Sequence, residues 1–219
     1  MRCEAILFDF DGVIADTMPS HLSAWKRIIE NEYHFPFQPM VVRLNEGRPA
    51  VEIAGEVFQN AGQDFTETQL QNVVEQKNAL FRATHNAIVY PEIYKIIRLA
   101  REHGAKIGLV TGTTLENVQA LLSRELLENF HIIITVGDAK RGKPFPDPYL
   151  EAAGRLGIDP EKCCVVENAP LGIQAAKSAG MFCVALKTTL SSEHLQAADV
   201  IFENHGKFLA QFRDLLLRR

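Results

Sequence analysis

The sequence predicts an α/β protein: a doubly wound parallel sheet with an inserted α-helical cap. Three observations carry this. Short apolar runs recur without alternation, as in strands covered on both faces. Helical patterns with recognisable start and stop residues separate them, and strand–helix alternation builds a parallel sheet. One stretch, 16–86, reads as helices alone.

The first run, AILF at 5–8, ends at Asp9. In the helical stretch, Leu22, Trp25, Ile28 and Ile29 share one face, so Trp25 is read as packing between cap helices. Val51, Ala54, Val57 and Phe58 form a second face, closed by Gly62. Thr66 and Gln69 have capping-box spacing ahead of Leu70, Val73, Val74 and Phe81. Pro91 opens the next helix, Ile93, Ile96 and Ile97 face its core, and Gly104 ends it. Strand runs follow at 105–110 (AKIGLV) and 132–136 (IIITV). Asp147-Pro148 opens a helix that Gly157 ends, and Gly180 closes another through 172–178. The runs at 163–166 (CCVV), 182–186 (FCVAL) and 199–202 (DVIF) complete the sheet. The expected division is a Rossmann-like core over 1–15 and 87–219 and a cap over 16–86. No internal repeat is visible.

The 219 residues carry a formal net charge of −4 and no Lys/Arg block. That argues against nucleic acid or an anionic membrane as the main partner. Cys3, Cys163, Cys164 and Cys183 form no CxxC pair, which argues against a zinc site and a disulfide framework. The first apolar run is too short for a signal peptide, and no stretch nears the ~18 residues of a membrane span. The expectation is a cytoplasmic monomer. His103 and His194 read as surface residues, and Arg218 and Arg219 as a solvated tail.

Ligands of open parallel sheets bind at the carboxyl ends of the strands. The residues there are polar in every case: Asp9 and Asp11; Thr111-Gly112-Thr113; a loop with Lys140, Arg141 and Lys143; and Glu167-Asn168. Taken singly, each has a plain structural reading, as a turn, a helix cap or a solvated lysine. Their coincidence at successive strand ends is what points to a site. Asp9, Asp11 and Glu167 packed together repel and need a cation, and oxygen ligands favour a hard one such as Mg2+. Thr111 and the Gly112 N–H can donate to an anion, while Lys143 neutralises further charge. The implied substrate is a phosphate ester, with one carboxylate as nucleophile and the other as general acid/base.

These segments resemble the haloacid dehalogenase-like (HAD) superfamily, within it the group of β-phosphoglucomutases and sugar-phosphate phosphatases. DFDGVIADT, LVTGTT, RGKPFPDPY and VVENAPLGIQAAKSAGM match its four motifs in order. The resemblance implies Asp9 as the nucleophile that becomes an aspartyl-phosphate. Asp11 is then the acid that protonates the leaving oxygen and afterwards activates water, its carbonyl also meeting Mg2+. Thr111 and Gly112 hold the transferring phosphoryl, Lys143 stabilises it, and Asp9, Asp11, Glu167 and Asn168 form the metal set. An aspartate at position 11 implies phosphate transfer rather than carbon–halogen cleavage. Thr17 and His21 match a cap region that gates the hinge and assists Asp11, although His21 equally suits a polar helix start.

Two departures stand out. Asn168 replaces an acidic residue, so Glu167 is expected to meet the metal directly. LNEGRPA places Glu46 and Ala50 where the mutases carry a lysine and an arginine for a second phosphate, leaving Arg48 as an out-of-register substitute. A missing pair of cations ranks hydrolysis of a small phosphorylated metabolite, possible sugar phosphates included, above phosphomutation. A non-catalytic binding or regulatory module on the same fold is the third reading.

Overall fold

The computed structural model describes residues 3–217; Arg218 and Arg219 lie outside the described residues. Six parallel strands form one sheet: β1 (Ala5–Phe8), β2 (Lys106–Val110), β3 (Ile132–Ile134), β4 (Cys163–Glu167), β5 (Phe182–Leu186) and β6 (Val200–Phe202). Their spatial order is β3-β2-β1-β4-β5-β6. The order reverses at β1, so the first strand is central and its carboxyl end faces the crevice where such sheets take ligands. Phe8 pairs in register with Leu109 on one side and Val166 on the other, which puts the residues after β1, β2 and β4 level with one another.

Both sheet faces are covered, as the continuous apolar runs require. On one face, α5 (Pro91–Glu102) and α10 (His205–Phe212) bury Ile93, Ile96, Ile97, Phe208 and Phe212 against Ile6, Phe8, Ile107 and Cys164. On the other, α8 (Asp147–Leu156) and α9 (Pro170–Ser178) bury Tyr149, Ala152, Ala153, Ile173 and Ala176 against Leu7, Val165 and Cys183. Two short helices, α6 (Leu115–Leu121) and α7 (Arg124–Leu127), link β2 to β3.

The strand ends differ slightly from the sequence expectation, for local reasons. The third strand stops at Ile134 because the Thr135 N–H and hydroxyl both donate to Asp138 Oδ2, at 2.8 and 2.9 Å, turning the chain. The last begins at Val200 because the Asp199 carboxylate is drawn sideways to the Cys183 N–H and Lys177. The fourth continues to Glu167, which carries a carboxylate into the interior.

The helical insert comprises α1 (Met18–Glu32), α2 (Pro39–Leu44), α3 (Ala50–Asn60) and α4 (Glu67–Thr84). It has its own apolar centre of Trp25, Ile29, Phe35, Ile53, Val57, Phe58 and Val73. The Thr66–Gln69 capping box forms at the start of α4. Two chain crossings tie the insert to the sheet, where the Asp16 N–H donates to the Ile88 carbonyl and the Tyr90 N–H to the Ile14 carbonyl. Among the described residues no helix is long and apolar enough to cross a membrane.

Candidate active site

β1 delivers Asp9 and Asp11, β2 delivers Thr111 and Gly112, and β4 delivers Glu167 and Asn168. Lys143, from the loop before α8, reaches into their midst. Its Nζ donates to Asp9 Oδ1 at 2.5 Å, to Glu167 Oε1 at 2.7 Å and to the Val110 carbonyl at 3.2 Å. This lysine is only 1% exposed and Glu167 is equally buried. Burial alone would strip Lys143 of its charge, but the Asp9 and Glu167 carboxylates hold its ammonium above the ordinary lysine range. One cation thus serves two buried carboxylates. Burial pushes Asp9 up to about 8 despite Lys143, with Glu167 and Asp11 adding repulsion.

Glu167 has several hydrogen-bond partners besides Lys143. Its Oε1 also accepts from the Tyr149 hydroxyl at 2.8 Å, and its Oε2 accepts from the N–H groups of Asn168 and Ala169 at 2.9 and 3.2 Å. An added Cβ on Gly172 would lie 1.7 Å from Oε1, so α9 packs tightly on the carboxylate. Tyr149 had no signal as a site residue beyond lying on the apolar stripe of α8 with Ala152 and Ala153.

Asp11 sits in a different setting. Thr17 occupies the N-cap position of α1 yet makes no capping bond, because its hydroxyl donates to Asp11 Oδ1 at 2.6 Å. His21 Nε2 lies 3.1 Å from the same oxygen, and its ring stacks on Phe81 with centroids 4.0 Å apart. Burial works to raise the Asp11 carboxyl, but His21, the Thr17 bond and Lys77 together hold it below the usual carboxylate range. Burial and Lys77 lower the His21 imidazole, keeping it neutral near pH 7.

The cleft between sheet and insert is lined by Asp9, Asp11, His21, Glu46, Lys77 and Gly112 among others. Thr111 lies just behind it; its hydroxyl accepts from the Thr113 N–H at 3.1 Å, leaving its own proton to donate. The insert closes directly on the core here. Gly47, at φ +94, turns the chain so that its carbonyl lies 2.5 Å from where a Cβ on Gly112 would stand, a distance only glycine permits. Arg48 lines the cleft, but its Nη1 pairs with Glu56 at 3.0 Å.

Lys77 is a site residue that sequence reasoning missed. It is 4% exposed, its Nζ lies 5.5 Å from the Trp25 ring centroid and 5.6 Å from that of Phe81, and burial lowers it to about 8. Its position on the Leu70–Val73–Phe81 stripe of α4 was the available signal, since a lysine seven residues from Leu70 and four from Phe81 must face inward.

A metal is tested by the oxygens left over. Among the described residues no three carboxylate, imidazole or thiolate side chains stand together as a ready cage. Mg2+ does not need one, because it keeps several waters and takes few protein oxygens. Asn168 Oδ1 and Glu46 Oε2 are buried with no hydrogen-bond partner among the described residues, in a site with more carboxylate than ammonium. Hard, partly anionic oxygens without donors fit a divalent cation.

Comparison with known proteins gives the family. The model of a haloacid dehalogenase-like hydrolase matches residues 3–180. The validoxylamine A 7'-phosphate phosphatase of Streptomyces hygroscopicus subsp. limoneus is 32% identical over 200 residues, 90% of this chain and 92% of its own. The β-phosphoglucomutase of Bacillus subtilis is 32% identical over 190 residues, covering 84% and 83%. A solved structure described as a putative β-phosphoglucomutase from Bacteroides vulgatus superposes with a TM-score of 0.86 at 29% identity, over 100% of this chain and 91% of that one. With four polar strand ends converging on one crevice and a family match over most of its length, the chain belongs to the haloacid dehalogenase-like hydrolases.

Proposed function

We propose that the chain is a Mg2+-dependent phosphatase of a small phosphorylated metabolite, with sugar phosphates the favoured class, working through an aspartyl-phosphate. The observation that carries this is the contrast between its two neighbouring aspartates. Asp9 is fixed by Lys143 and has no proton-handling partner, whereas Asp11 is clasped by Thr17 and His21. The Thr17 and His21 clasp positions Asp11 to pass a proton, and the Lys143 bond fixes Asp9 for attack.

With Oδ1 held by Lys143, Asp9 attacks phosphorus through its other carboxylate oxygen. The ester P–O bond breaks and the leaving oxygen takes the Asp11 proton. The dianionic phosphate raises Asp11 on arrival, which lets it carry that proton. Asp11 then accepts a proton from water as the water oxygen attacks phosphorus, the Asp9–phosphorus bond breaks, and inorganic phosphate leaves. Thr111 and the Gly112 N–H donate to the phosphoryl oxygens where charge develops. Asp9, the Asp11 carbonyl and Asn168 are the groups that would hold Mg2+, whose contribution when bound is to neutralise and orient the phosphoryl group. Glu167 acts one step back, keeping Lys143 in place.

The relatives named for phosphorylated sugars favour that substrate class, the phosphatase of Thermotoga maritima for phosphorylated carbohydrates and the fructose-1-phosphate phosphatase of Escherichia coli among them. Phosphate release from a panel of phosphorylated metabolites, with and without Mg2+, tests the proposal. We expect Mg2+-dependent release that Asp9→Asn abolishes while circular dichroism stays unchanged; release by Asp9→Asn would overturn the nucleophile assignment. Lys77 favours a second reading, phosphomutation, because it puts one cation where a second phosphate could rest. Isomerisation of a hexose 1-phosphate driven by trace bisphosphate, without free phosphate, would select that reading.

A further inference from the structure

Asn168 and Glu46 meet across the boundary between sheet and insert. Asn168 Nδ2 donates to Glu46 Oε1 at 3.0 Å and to Thr189 Oγ1 at 2.8 Å. The asparagine is fully buried and the glutamate 5% exposed, and each keeps one oxygen, Oδ1 and Oε2, without a partner among the described residues. A carboxylate carried into a buried site that already holds Asp9, Asp11 and Glu167 is repelled, and a half-satisfied carboxylate is costly to bury. Among the described residues no ammonium pairs with Glu46: Lys143 serves Asp9 and Glu167, and Arg48, two residues on, turns to Glu56. The loop nonetheless fixes Glu46 in place, between Asn45, which ends α2, and Gly47, which lies against Lys143 and Gly112.

We propose that Glu46 supplies, from the insert, the carboxylate charge that Asn168 lacks, so that the divalent-cation site is complete only when the insert sits on the core. This rests on the metal-dependent reading above and extends it. An amide oxygen ligates a hard cation without neutralising it, and the unpartnered Glu46 Oε2 restores the missing charge. Two consequences follow. Metal affinity depends on a residue outside the sheet, and metal binding favours the closed arrangement, because a ligand shifts a conformational equilibrium toward the state that binds it better.

The test is direct binding of Mn2+, read by electron paramagnetic resonance, and of Mg2+, read by calorimetry, on the full chain without substrate. Glu46→Gln should weaken binding about tenfold or more, Asn168→Asp should tighten it, and the double variant Glu46→Gln/Asn168→Asp should return near the wild-type value. Small-angle scattering should show metal-induced compaction in the wild type and less of it in Glu46→Gln. A wild-type affinity kept by Glu46→Gln, or no tightening with Asn168→Asp, overturns the inference while leaving the phosphatase reading intact. A wild-type chain that binds neither ion overturns both. Should Glu46→Gln fail to fold, Glu46→Ala takes its place in the same comparison.

Discussion

The sheet side and the insert side of the cleft treat their buried charges differently. On the sheet side one network closes on itself: Lys143 joins Asp9 and Glu167, and Tyr149 with two backbone N–H groups takes up the rest of Glu167, while Asn168 Oδ1 next to it stays open. On the insert side atoms are left over: among the described residues Glu46 Oε2, His21 Nδ1 and Arg48 Nε have no partner, and Lys77 meets Asn78 Oδ1 at 3.3 Å and two aromatic faces. A closed network fixes geometry before substrate arrives, which is what a nucleophile and its phosphoryl cradle require. Unsatisfied groups are held in wait for a ligand, which is what selection among substrates requires.

Lys143→Met should break this contrast most severely. Removing one partner of a buried ionic cluster leaves Asp9 and Glu167 facing each other uncompensated, a loss of about 3–5 kcal/mol. Chemical denaturation should show that drop, and turnover should vanish with it. An unchanged midpoint would mean the sheet-side network does not carry the charge balance assigned to it.

Two glycine substitutions sharpen the comparison, since both meet a neighbour but on opposite sides. An alanine Cβ at Gly172 would stand 1.7 Å from Glu167 Oε1, inside packed core that cannot give way, so Gly172→Ala should lower stability by about 1–3 kcal/mol. At Gly112 the obstacle is the Gly47 carbonyl, 2.5 Å away, and the insert can lift off to make room. Gly112→Ala should therefore keep nearly the wild-type denaturation midpoint while kcat/KM falls about 100-fold, since a misplacement near 1 Å is enough for that. Equal stability losses in both variants would erase the distinction between a rigid and a movable wall.

The same contrast explains what was legible in the sequence. Strands of a covered sheet are apolar throughout, so their ends are marked by the first polar residue, and Asp9, Thr111 and Glu167 announce themselves. Lys143 is readable through its spacing to Pro144 and Asp147, though nothing in the residue string says that it is buried to 1%. The insert offers no such marker. Lys77 looks like any solvated helix lysine unless its place on the Leu70–Val73–Phe81 stripe is weighed, and Glu46 reads as a lost cation rather than as a partner for Asn168, because residues 122 apart in the chain meet only once the fold is known. Tyr149 escapes because it reaches the site from a helix face explained by packing alone, and Thr189 because it reaches Asn168 from the turn after β5.

Lys77→Met should have the smallest effect and the most informative one. Methionine keeps the volume and the contacts with Trp25 and Phe81 while removing a buried charge, so stability near pH 7 should rise by about 1 kcal/mol. The sign follows from the lysine being lowered from 10.5 to about 8 in the folded chain. Folding then disfavours its charged form, the burden is full below pH 8, and it fades as the pH climbs toward 10.5, so the advantage of methionine should shrink over that window. Function should move the other way. If Lys77 grips an anionic or polar part of the substrate, KM rises about tenfold in the variant with kcat little changed, and the wild-type KM climbs above pH 8 as the ammonium is lost while that of the variant stays flat. A pH-independent wild-type KM would remove Lys77 from substrate binding and leave the insert's selectivity to Glu46 and His21.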